Sequence, residues 1–377
     1  MKFTMSTKPL STALDLAVIK ENISDQWMKS CLAQLTVRGR DLVINLEADR
    51  IASELRFSGA PESEAMECSV FVDCLLLKQL VATLESSTVE LEFVGAPGDV
   101  SALVLHAGKS KLTLPKMIDG DELSLTAPKE SDYDAANSVE IDKSGWKFVK
   151  DHQMYALSMS FTYPVYTYVY VGEDGDVIAG NINTSLFTYS DKSNLKKTCL
   201  LKDTIINLFN TLPEGSKIIP GEDKYLITVS TDSFDYVAEF SPRYESEPDI
   251  GSYNADLLKE ELQHPVTCLD VNPSVILKTL NQSLLLSGGD SQADITFHIE
   301  SGLMRVFDDR VERSVDLKGY VTVTPVDIKF GVKDILSVFK TYSSDDVHVG
   351  VTFDEDGECK AFVIWDDEFT TVLGGVD

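Results

Sequence analysis

The sequence contains a threefold internal repeat, which limits the folds open to this chain. Three stretches resemble one another, because each has two runs of β-branched or aromatic residues on either side of a glycine-containing turn. This is the pattern of a β-hairpin. The stretches are 35–48 (LTVRGRDLVINLEA), 168–182 (YVYVGEDGDVIAGNI) and 295–307 (ITFHIESGLMRVF), with turn glycines Gly39, Gly175 and Gly302. The regular spacing of these three stretches along the chain indicates repeated structural units.

A second series of hairpins and two series of helices follow the same spacing. The second hairpins cover 88–105, 217–240 and 347–364, with turns near Gly98, Asp232 and Gly357. Apolar residues at three- and four-residue steps predict one helix before each first hairpin and one between the two hairpins. The predicted helices are 10–29, 72–84, 143–159, 202–212, 273–286 and 332–342, and Asn272 with Pro273 suits a capped helix start. Each repeat is therefore of the α+β class.

Two polar segments, 118–138 and 245–263, are rich in Asp, Glu, Ser and Pro and are typical of linkers between domains. They divide the chain into three predicted domains, 1–127, 128–254 and 255–377. The six cysteines are scattered without a C-x-x-C pair, which favours free thiols in a reducing, cytoplasmic compartment. The sequence has no stretch of about 18 apolar residues, so no membrane partner is expected.

The formal net charge of −28 argues against a nucleic-acid partner unless positive charge is concentrated somewhere. The helical windows 8–30, 70–86, 142–160, 200–212, 271–288 and 329–343 hold 12 Lys against 9 Asp and Glu, a net charge of +3, so the rest of the chain carries −31. Lys143, Lys147 and Lys150 share one predicted helix face. If the helices line one surface and the strands the other, the protein has a mildly basic face and a strongly acidic one. Ordinary solvated helix faces are the competing interpretation of each single lysine.

Several short segments, in order along the chain, resemble the bacterial β sliding clamp, the processivity subunit of the replicative DNA polymerase. They are 1–4 (MKFT), 32–49 (LAQLTVRGRDLVINLEAD), 108–115 (GKSKLTLP), 157–159 (LSM), Pro248–Asp249 and 361–365 (AFVIW). The last of these is aligned with the final strand of the clamp. The resemblance implies three repeated clamp domains, with helices on the inner face and antiparallel sheets on the outer face of a ring.

The resemblance also implies the partners. Similar clamps are head-to-tail homodimers that encircle double-stranded DNA without reading its sequence and bind a DNA polymerase and a clamp loader. The pore residues implied here are Lys29, Lys78, Lys147, Lys150, Lys202, Lys278, Lys333, Lys340, Tyr163 and Tyr166. For the two tyrosines, packing within a hairpin is an equal alternative.

A pocket for partner peptides is implied between the second and third domains. Its implied residues are Leu186, Phe187, Pro248, Ile250, Val363, Ile364 and Trp365. For Val363 and Ile364, core burial is at least an equal alternative. The chain departs from the family here, because 181–186 (NINTSL) keeps only the final leucine of the usual turn and 365–377 (WDDEFTTVLGGVD) replaces the usual C-terminus. A divergent clamp, for example a viral one acting in the host cytoplasm, would fit these departures.

The sequence gives no sign of catalysis. The five histidines are isolated, no phosphate-binding glycine loop is present, and 354–358 (DEDGE) lacks the spacing of a calcium loop. We therefore expect no catalytic residue, no metal, no cofactor and no enzymatic activity. The main alternative function is an acidic interaction scaffold that shares the fold but does not encircle DNA. A hydrolase that uses a pair of carboxylates is a third alternative, without a positive sign in the sequence.

Overall fold

The computed structural model describes residues 1–18, 32–48, 51–58, 60–61, 67–96, 98–117, 128–129, 132–157, 167–181, 185–195, 198–221, 224–240, 269–290, 293–300, 303–316, 325–353 and 359–374. The α-helices are α1 (Thr7–Ala17), α2 (Cys74–Ala82), α3 (Lys143–His152), α4 (Asp203–Thr211), α5 (Pro273–Leu286) and α6 (Val332–Thr341). Short 3₁₀ helices lie at Ala135–Asn137 and Met154–Ala156.

The described strands fall into three series with the same order. The first is β1 (Lys2–Ser6), β2 (Leu32–Arg38), β3 (Asp41–Ala48), β4 (Ile51–Ser58), β5 (Ala60–Pro61), β6 (Cys68–Asp73), β7 (Thr88–Ala96), β8 (Asp99–Ala107) and β9 (Ser110–Pro115). The second is β10 (Val139–Glu140), β11 (Tyr168–Val171), β12 (Val177–Asn181), β13 (Leu186–Ser190), β14 (Cys199–Lys202), β15 (Lys217–Pro220), β16 (Tyr225–Ser230) and β17 (Asp235–Phe240). The third is β18 (Leu269–Val271), β19 (Asp294–Glu300), β20 (Leu303–Phe307), β21 (Glu312–Asp316), β22 (Val326–Gly331), β23 (Val347–Phe353), β24 (Cys359–Trp365) and β25 (Phe369–Gly374).

Each series therefore places one helix after its first strand and one helix before its last three strands, which is the α+β repeat expected from the sequence. The chain divides into two compact units, Met1–Lys143 with Thr204–Tyr244, and Ser144–Asp203 with Glu245–Asp377. The division into three domains at 127 and 254 stays a prediction, and each of the two units takes part of the second predicted domain.

The first unit contains two antiparallel sheets. One has the strand order β5-β1-β7-β8-β9, and the other has the order β10-β15-β16-β17-β4-β3-β2-β6. Side chains alternate across the sheets, as in β4, where Ile51, Leu55 and Phe57 are buried and Arg56 is exposed. Asp73 caps α2 by accepting a hydrogen bond from the backbone N–H of Leu76, so the strand β6 passes directly into the helix.

The second unit also contains two antiparallel sheets, with the orders β14-β11-β12-β13-β25-β24-β23-β18 and β21-β20-β19-β22. Its core includes four buried phenylalanines, Phe297, Phe330, Phe339 and Phe362, with ring centroids 5.5–6.2 Å apart. Such aromatic contacts add to the apolar area that the helices and sheets bury against each other.

The structure corrects several sequence-based expectations. Five of the six predicted hairpins are followed by a further strand, whereas 217–240 itself contains the three strands β15, β16 and β17. The final strand is β25 rather than 361–365, which forms β24. The predicted helix 143–159 ends at His152 and continues only as a 3₁₀ turn, and 72–84 begins as strand and becomes helical at Cys74. Among the described cysteines, Cys68, Cys199 and Cys359 are free, whereas Cys74 is disulfide-bonded, so the expectation of free thiols is wrong for Cys74.

Candidate nucleic-acid interface and partner surface

The exposed sides of α5 and α6 carry regularly spaced lysines. Lys333 and Lys340 on α6 are exposed, with Ser337 between them at the four- and three-residue steps that define one helix face. Lys278 is exposed on α5, where the neighbouring exposed residues Ser274 and Gln282 are polar and neutral. The opposite sides of both helices are buried in the core of the second unit. Both faces therefore present lysines on polar surroundings, which on α6 include the exposed Asp334 next to Lys333.

The helix α3 presents the same kind of face. Lys147 and Lys150 are exposed, while Trp146 and Val149 on the other side are buried. Lys147 donates a hydrogen bond to Asp151 one turn later, at 2.6 Å. The carboxylate of Asp151 therefore offsets part of the positive charge of Lys147. Within the described ranges no carboxylate forms an ion pair with Lys150, Lys278, Lys333 or Lys340, so no contacting carboxylate offsets their positive charge.

The other expected pore residues differ from this group. Lys78 on α2 is only partly exposed, because its ammonium group donates to the backbone carbonyl of Val18 at 3.0 Å and lies 3.1 Å from a carboxylate oxygen of Asp15. Lys78 thus holds α2 to the end of α1. Lys202 is the half-buried last residue of β14. Lys29, Tyr163 and Tyr166 lie outside the described residues.

Three of the expected pocket residues come together on one face of the eight-stranded sheet of the second unit. Phe187 and Trp365 are half-buried and pack against a buried cluster that contains Val363 and Val372. The ring of Phe187 lies close to Gly180, since a Cβ added there would come within 2.3 Å of it. His348 lies beside Trp365, with a ring-centroid distance of 5.4 Å, and its Nδ1 is 2.7 Å from Asp270.

The remaining expected pocket residues are not part of that face. Leu186 is buried on the opposite face, because neighbouring residues of a strand point to opposite sides. Ile364 is likewise fully buried on the side away from Val363. Pro248 and Ile250 lie outside the described residues. The structure therefore separates the expected pocket residues into two sets, one on each side of the sheet.

A buried polar network that sequence reasoning missed lies where β13 pairs with β25. The fully buried Gln153 donates from Nε2 to the carbonyl of Val177 at 3.1 Å and accepts from the Ser190 hydroxyl at 2.8 Å. The hydroxyl of Tyr155 is 3.4 Å from that of Thr371 in β25, and burial raises the pKa of Tyr155 to about 12. Both residues therefore fix the 3₁₀ turn after α3 to the paired strands.

Strand pairing joins neighbouring repeats in the same way twice. In the first unit β17 of the second series pairs with β4 of the first, and in the second unit β25 of the third series pairs with β13 of the second. Two strands hold the same positions in their repeats as these pairing strands. They are β9, the last strand of the first series, and β21, the strand after the first hairpin of the third series. Within the described residues β9 pairs only with β8, and β21 pairs only with β20, so each has a free edge.

Two further observations concern the described residues alone. They contain no group of three or more His, Cys, Asp or Glu side chains that could hold a metal ion. None of their helices has both the length and the apolar character needed to cross a membrane.

Comparison with known proteins gives one kind of match. No family model matches the sequence, and no curated protein does. Among solved structures, the DNA polymerase III beta subunit of Thermotoga maritima matches with a TM-score of 0.72 and 15% identity, and the DNA polymerase sliding clamp of Bacillus subtilis with 0.73 and 15%, each over 100% of this chain and 99% of the other. The sliding clamp of Caulobacter crescentus matches with a TM-score of 0.74 and 14% identity over 100% of both chains. The chain therefore has the fold of the bacterial DNA polymerase III beta subunit sliding clamps, at a low sequence identity.

Proposed function

We propose that this protein is a sliding clamp of DNA replication. Two copies close head to tail into a ring around double-stranded DNA, and the ring tethers a replicative DNA polymerase. A closed ring cannot leave a long duplex without opening, so its contacts with DNA can be weak and independent of sequence. Such contacts suit a protein that must slide, because they are made to phosphates rather than to base edges.

The observation that carries the proposal is the pattern of strand pairing between repeats. At each in-chain junction, the last strand of one repeat pairs with the strand that follows the first hairpin of the preceding repeat. In this way β17 pairs with β4, and β25 pairs with β13. By the same rule, β9 of one copy joins β21 of a second copy, and two such seams close a ring of two chains. The free edges of β9 and β21 are the two surfaces that this rule leaves to be paired.

The two in-chain junctions share their choice of strands rather than a common pair of facing residues. In the junction of β17 with β4, Asp235 lies opposite Arg56. Opposite charges at facing positions of antiparallel strands favour the pairing. In the junction of β25 with β13, Thr370 lies opposite Tyr189 instead.

The exposed lysines support the DNA-facing part of the proposal. In the proposed ring, Lys147, Lys150, Lys278, Lys333 and Lys340 face the duplex and attract its phosphates. Lys78 contributes less, because its ammonium group already contacts Val18 and Asp15. Lys29, Lys202, Tyr163 and Tyr166 stay predicted contacts. The negative charge on the sheets keeps DNA away from the outer surface.

The polymerase and a clamp loader are proposed to bind through short peptides, which insert a few apolar side chains into a surface pocket. The expected residues Leu186, Phe187, Val363, Ile364 and Trp365 lie on two sides of one sheet, so a single pocket can use only one of these sets. We propose no catalytic residue and no cofactor for this role, and the cytoplasm stays the expected compartment.

Imaging the purified protein by negative-stain electron microscopy tests the proposal, together with its mass in solution. We expect two-chain particles with an open centre and twice the mass of one chain. Retention on nicked circular DNA, followed by release when the circle is cut, would then establish encirclement. Compact particles without a hole, or equal retention on circular and linear DNA, would refute the proposal and favour the acidic scaffold of the same fold.

A further inference from the structure

The first residue of α2, Cys74, takes part in a disulfide bond. The other described cysteines are free thiols, namely Cys68, Cys199 and Cys359. The remaining two of the six cysteines, Cys31 and Cys268, lie outside the described residues. Because the side chain of Cys74 is completely buried, a second molecule has no access to it. The bond therefore joins Cys74 to either Cys31 or Cys268 of the same chain.

The pairing of β2 with β6 favours Cys31. These strands are antiparallel, and their pairing brings Leu32 opposite Asp73. Continuing by one residue on each strand sets Cys31 opposite Cys74. Facing residues of antiparallel strands have Cα atoms about 4.5–5.5 Å apart, which lies within the range of about 4.4–6.8 Å that a disulfide requires. By contrast, the strand that follows Cys268, β18, belongs to a sheet of the second unit.

We infer that Cys31 and Cys74 form a redox-sensitive disulfide that fastens the start of β2 to the start of α2. In a reducing compartment both are expected as thiols, so the bond forms when a small disulfide such as oxidised glutathione supplies the oxidant. One thiolate attacks this oxidant and releases one reduced thiol, and the other cysteine then displaces the second. Only one of the two sulfurs has to be reached from solvent, which is compatible with the burial of Cys74. This inference does not depend on the proposed ring.

The bond adds a second attachment to α2. Lys78, four residues after Cys74, already donates to the carbonyl of Val18 at 3.0 Å and so holds the end of α1 to this helix. Residues four apart lie on the same helix face, one turn from each other. The disulfide also closes a covalent loop of 44 residues, from 31 to 74. A cross-link across such a loop stabilises the folded state mainly by restricting the unfolded chain.

Peptide mapping of the full-length wild-type protein tests the pairing directly. The protein is equilibrated with oxidised or reduced glutathione, denatured in an alkylating reagent, digested without reduction and analysed by mass spectrometry. After oxidation we expect one linked pair of peptides, which contain Cys31 and Cys74, and after reduction we expect this pair to be lost. A link between Cys74 and Cys268, or an alkylated Cys74 in the oxidised sample, would overturn the pairing. A link that persists in reduced glutathione would overturn its redox sensitivity.

Thermal unfolding measures what the bond contributes to the fold. The oxidised wild type should unfold about 5–10 °C above the reduced protein. Cys31→Ser should abolish this difference, and it avoids placing a hydroxyl at the completely buried position of Cys74. The matched control Cys68→Ser, which changes a buried free thiol of β6 opposite Val37, should retain the difference. Equal unfolding temperatures for the oxidised and reduced wild type, or a difference that survives Cys31→Ser, would overturn the inference.

Discussion

Reversing the charge of three helix lysines should weaken binding to duplex DNA. The variant Lys147→Glu/Lys150→Glu/Lys333→Glu changes three exposed side chains on α3 and α6, so the fold should be retained. A unit charge about 4 Å from a phosphate gains roughly 1 kcal/mol in water, and reversal replaces this attraction by a similar repulsion. Salt screens the effect, so it is largest at low ionic strength.

The three lysines are not expected to contribute equally to DNA binding. Lys147 shares its charge with Asp151 at 2.6 Å, whereas no described carboxylate pairs with Lys150 or Lys333. We therefore assign the effect mainly to Lys150 and Lys333, which gives four phosphate contacts in a two-chain ring. Each lost contact lowers the slope of log K against log salt by about 0.9, so the slope should fall by about 3 to 4. At low salt the affinity should fall by at least about tenfold.

Fluorescence anisotropy of a labelled 30-base-pair duplex, titrated with protein at several salt concentrations, measures both quantities. The control variant Lys217→Glu/Lys224→Glu/Lys329→Glu also takes the formal net charge from −28 to −34, but its changes lie on strands or a strand-joining turn. It should bind DNA with nearly the wild-type slope. An unchanged slope in the helix variant, or an equal loss in the control, would refute the assignment of the helices to the DNA-facing surface.

Three further predictions concern stability, measured as urea unfolding. Gly180→Ala should lower the free energy of unfolding by about 1–3 kcal/mol, because the added methyl group would meet the ring of Phe187. Adding Phe187→Leu should recover most of this loss, and no recovery would show that the contact with Phe187 is not its cause. Gln153→Ala, which leaves buried partners in β12 and β13 unsatisfied, should cost about 2–3 kcal/mol, and a loss below about 0.5 kcal/mol would argue against the network. Burial raises the pKa of Asp308, but hydrogen bonds from Ser283 and two backbone N–H groups outweigh it and lower that pKa overall. The stabilisation by Asp308 is therefore present above the ordinary pKa near 4 and is lost as the pH falls through the lower pKa of the folded state. Asp308→Asn should lose less stability in acid than the wild type. Parallel curves of unfolding free energy against pH for the two proteins would exclude this effect.

The sequence predicted the elements that carry strong local signals. Helix α5 has the predicted bounds because Asn272 caps its start, Pro273 occupies its first turn and Gly288, at φ +71°, follows its end. The strands β4 and β13 were missed although each pairs with the strand before it, because each also pairs with a distant strand, β17 or β25, which local sequence patterns do not reveal. The strand β21 was missed as well, although among the described residues it pairs only with its neighbour β20. The final strand β25 was missed because it follows an acidic turn and contains a glycine, a residue that is depleted in strands.

The candidate site was predicted less well than the fold, for two physical reasons. Sequence spacing cannot show that the ammonium group of Lys78 contacts Asp15 and the carbonyl of Val18, because these partners lie about 60 residues away in the chain. A one-residue difference also decides which side of a sheet a residue faces, so Leu186 and Phe187 were assigned to one pocket although they point in opposite directions. Both features depend on how distant segments pair, so local sequence patterns do not reveal them.

The distribution of charge explains how so acidic a chain can be proposed to hold DNA. Several carboxylates on the sheets are engaged by cations of neighbouring strands, as Glu90 is by Lys2 at 2.6 Å and Glu239 is by Lys224. A hydrogen bond to His106 lowers the pKa of Glu92, so this group stays ionised. The exposed helix lysines have no such described partners, apart from Lys147. Since attraction between charges falls steeply beyond a Debye length of about 10 Å, a phosphate beside the helices responds to these lysines far more than to distant carboxylates. The net charge of the chain is therefore a poor guide to the surface that faces DNA, and the lysine variants measure that surface directly.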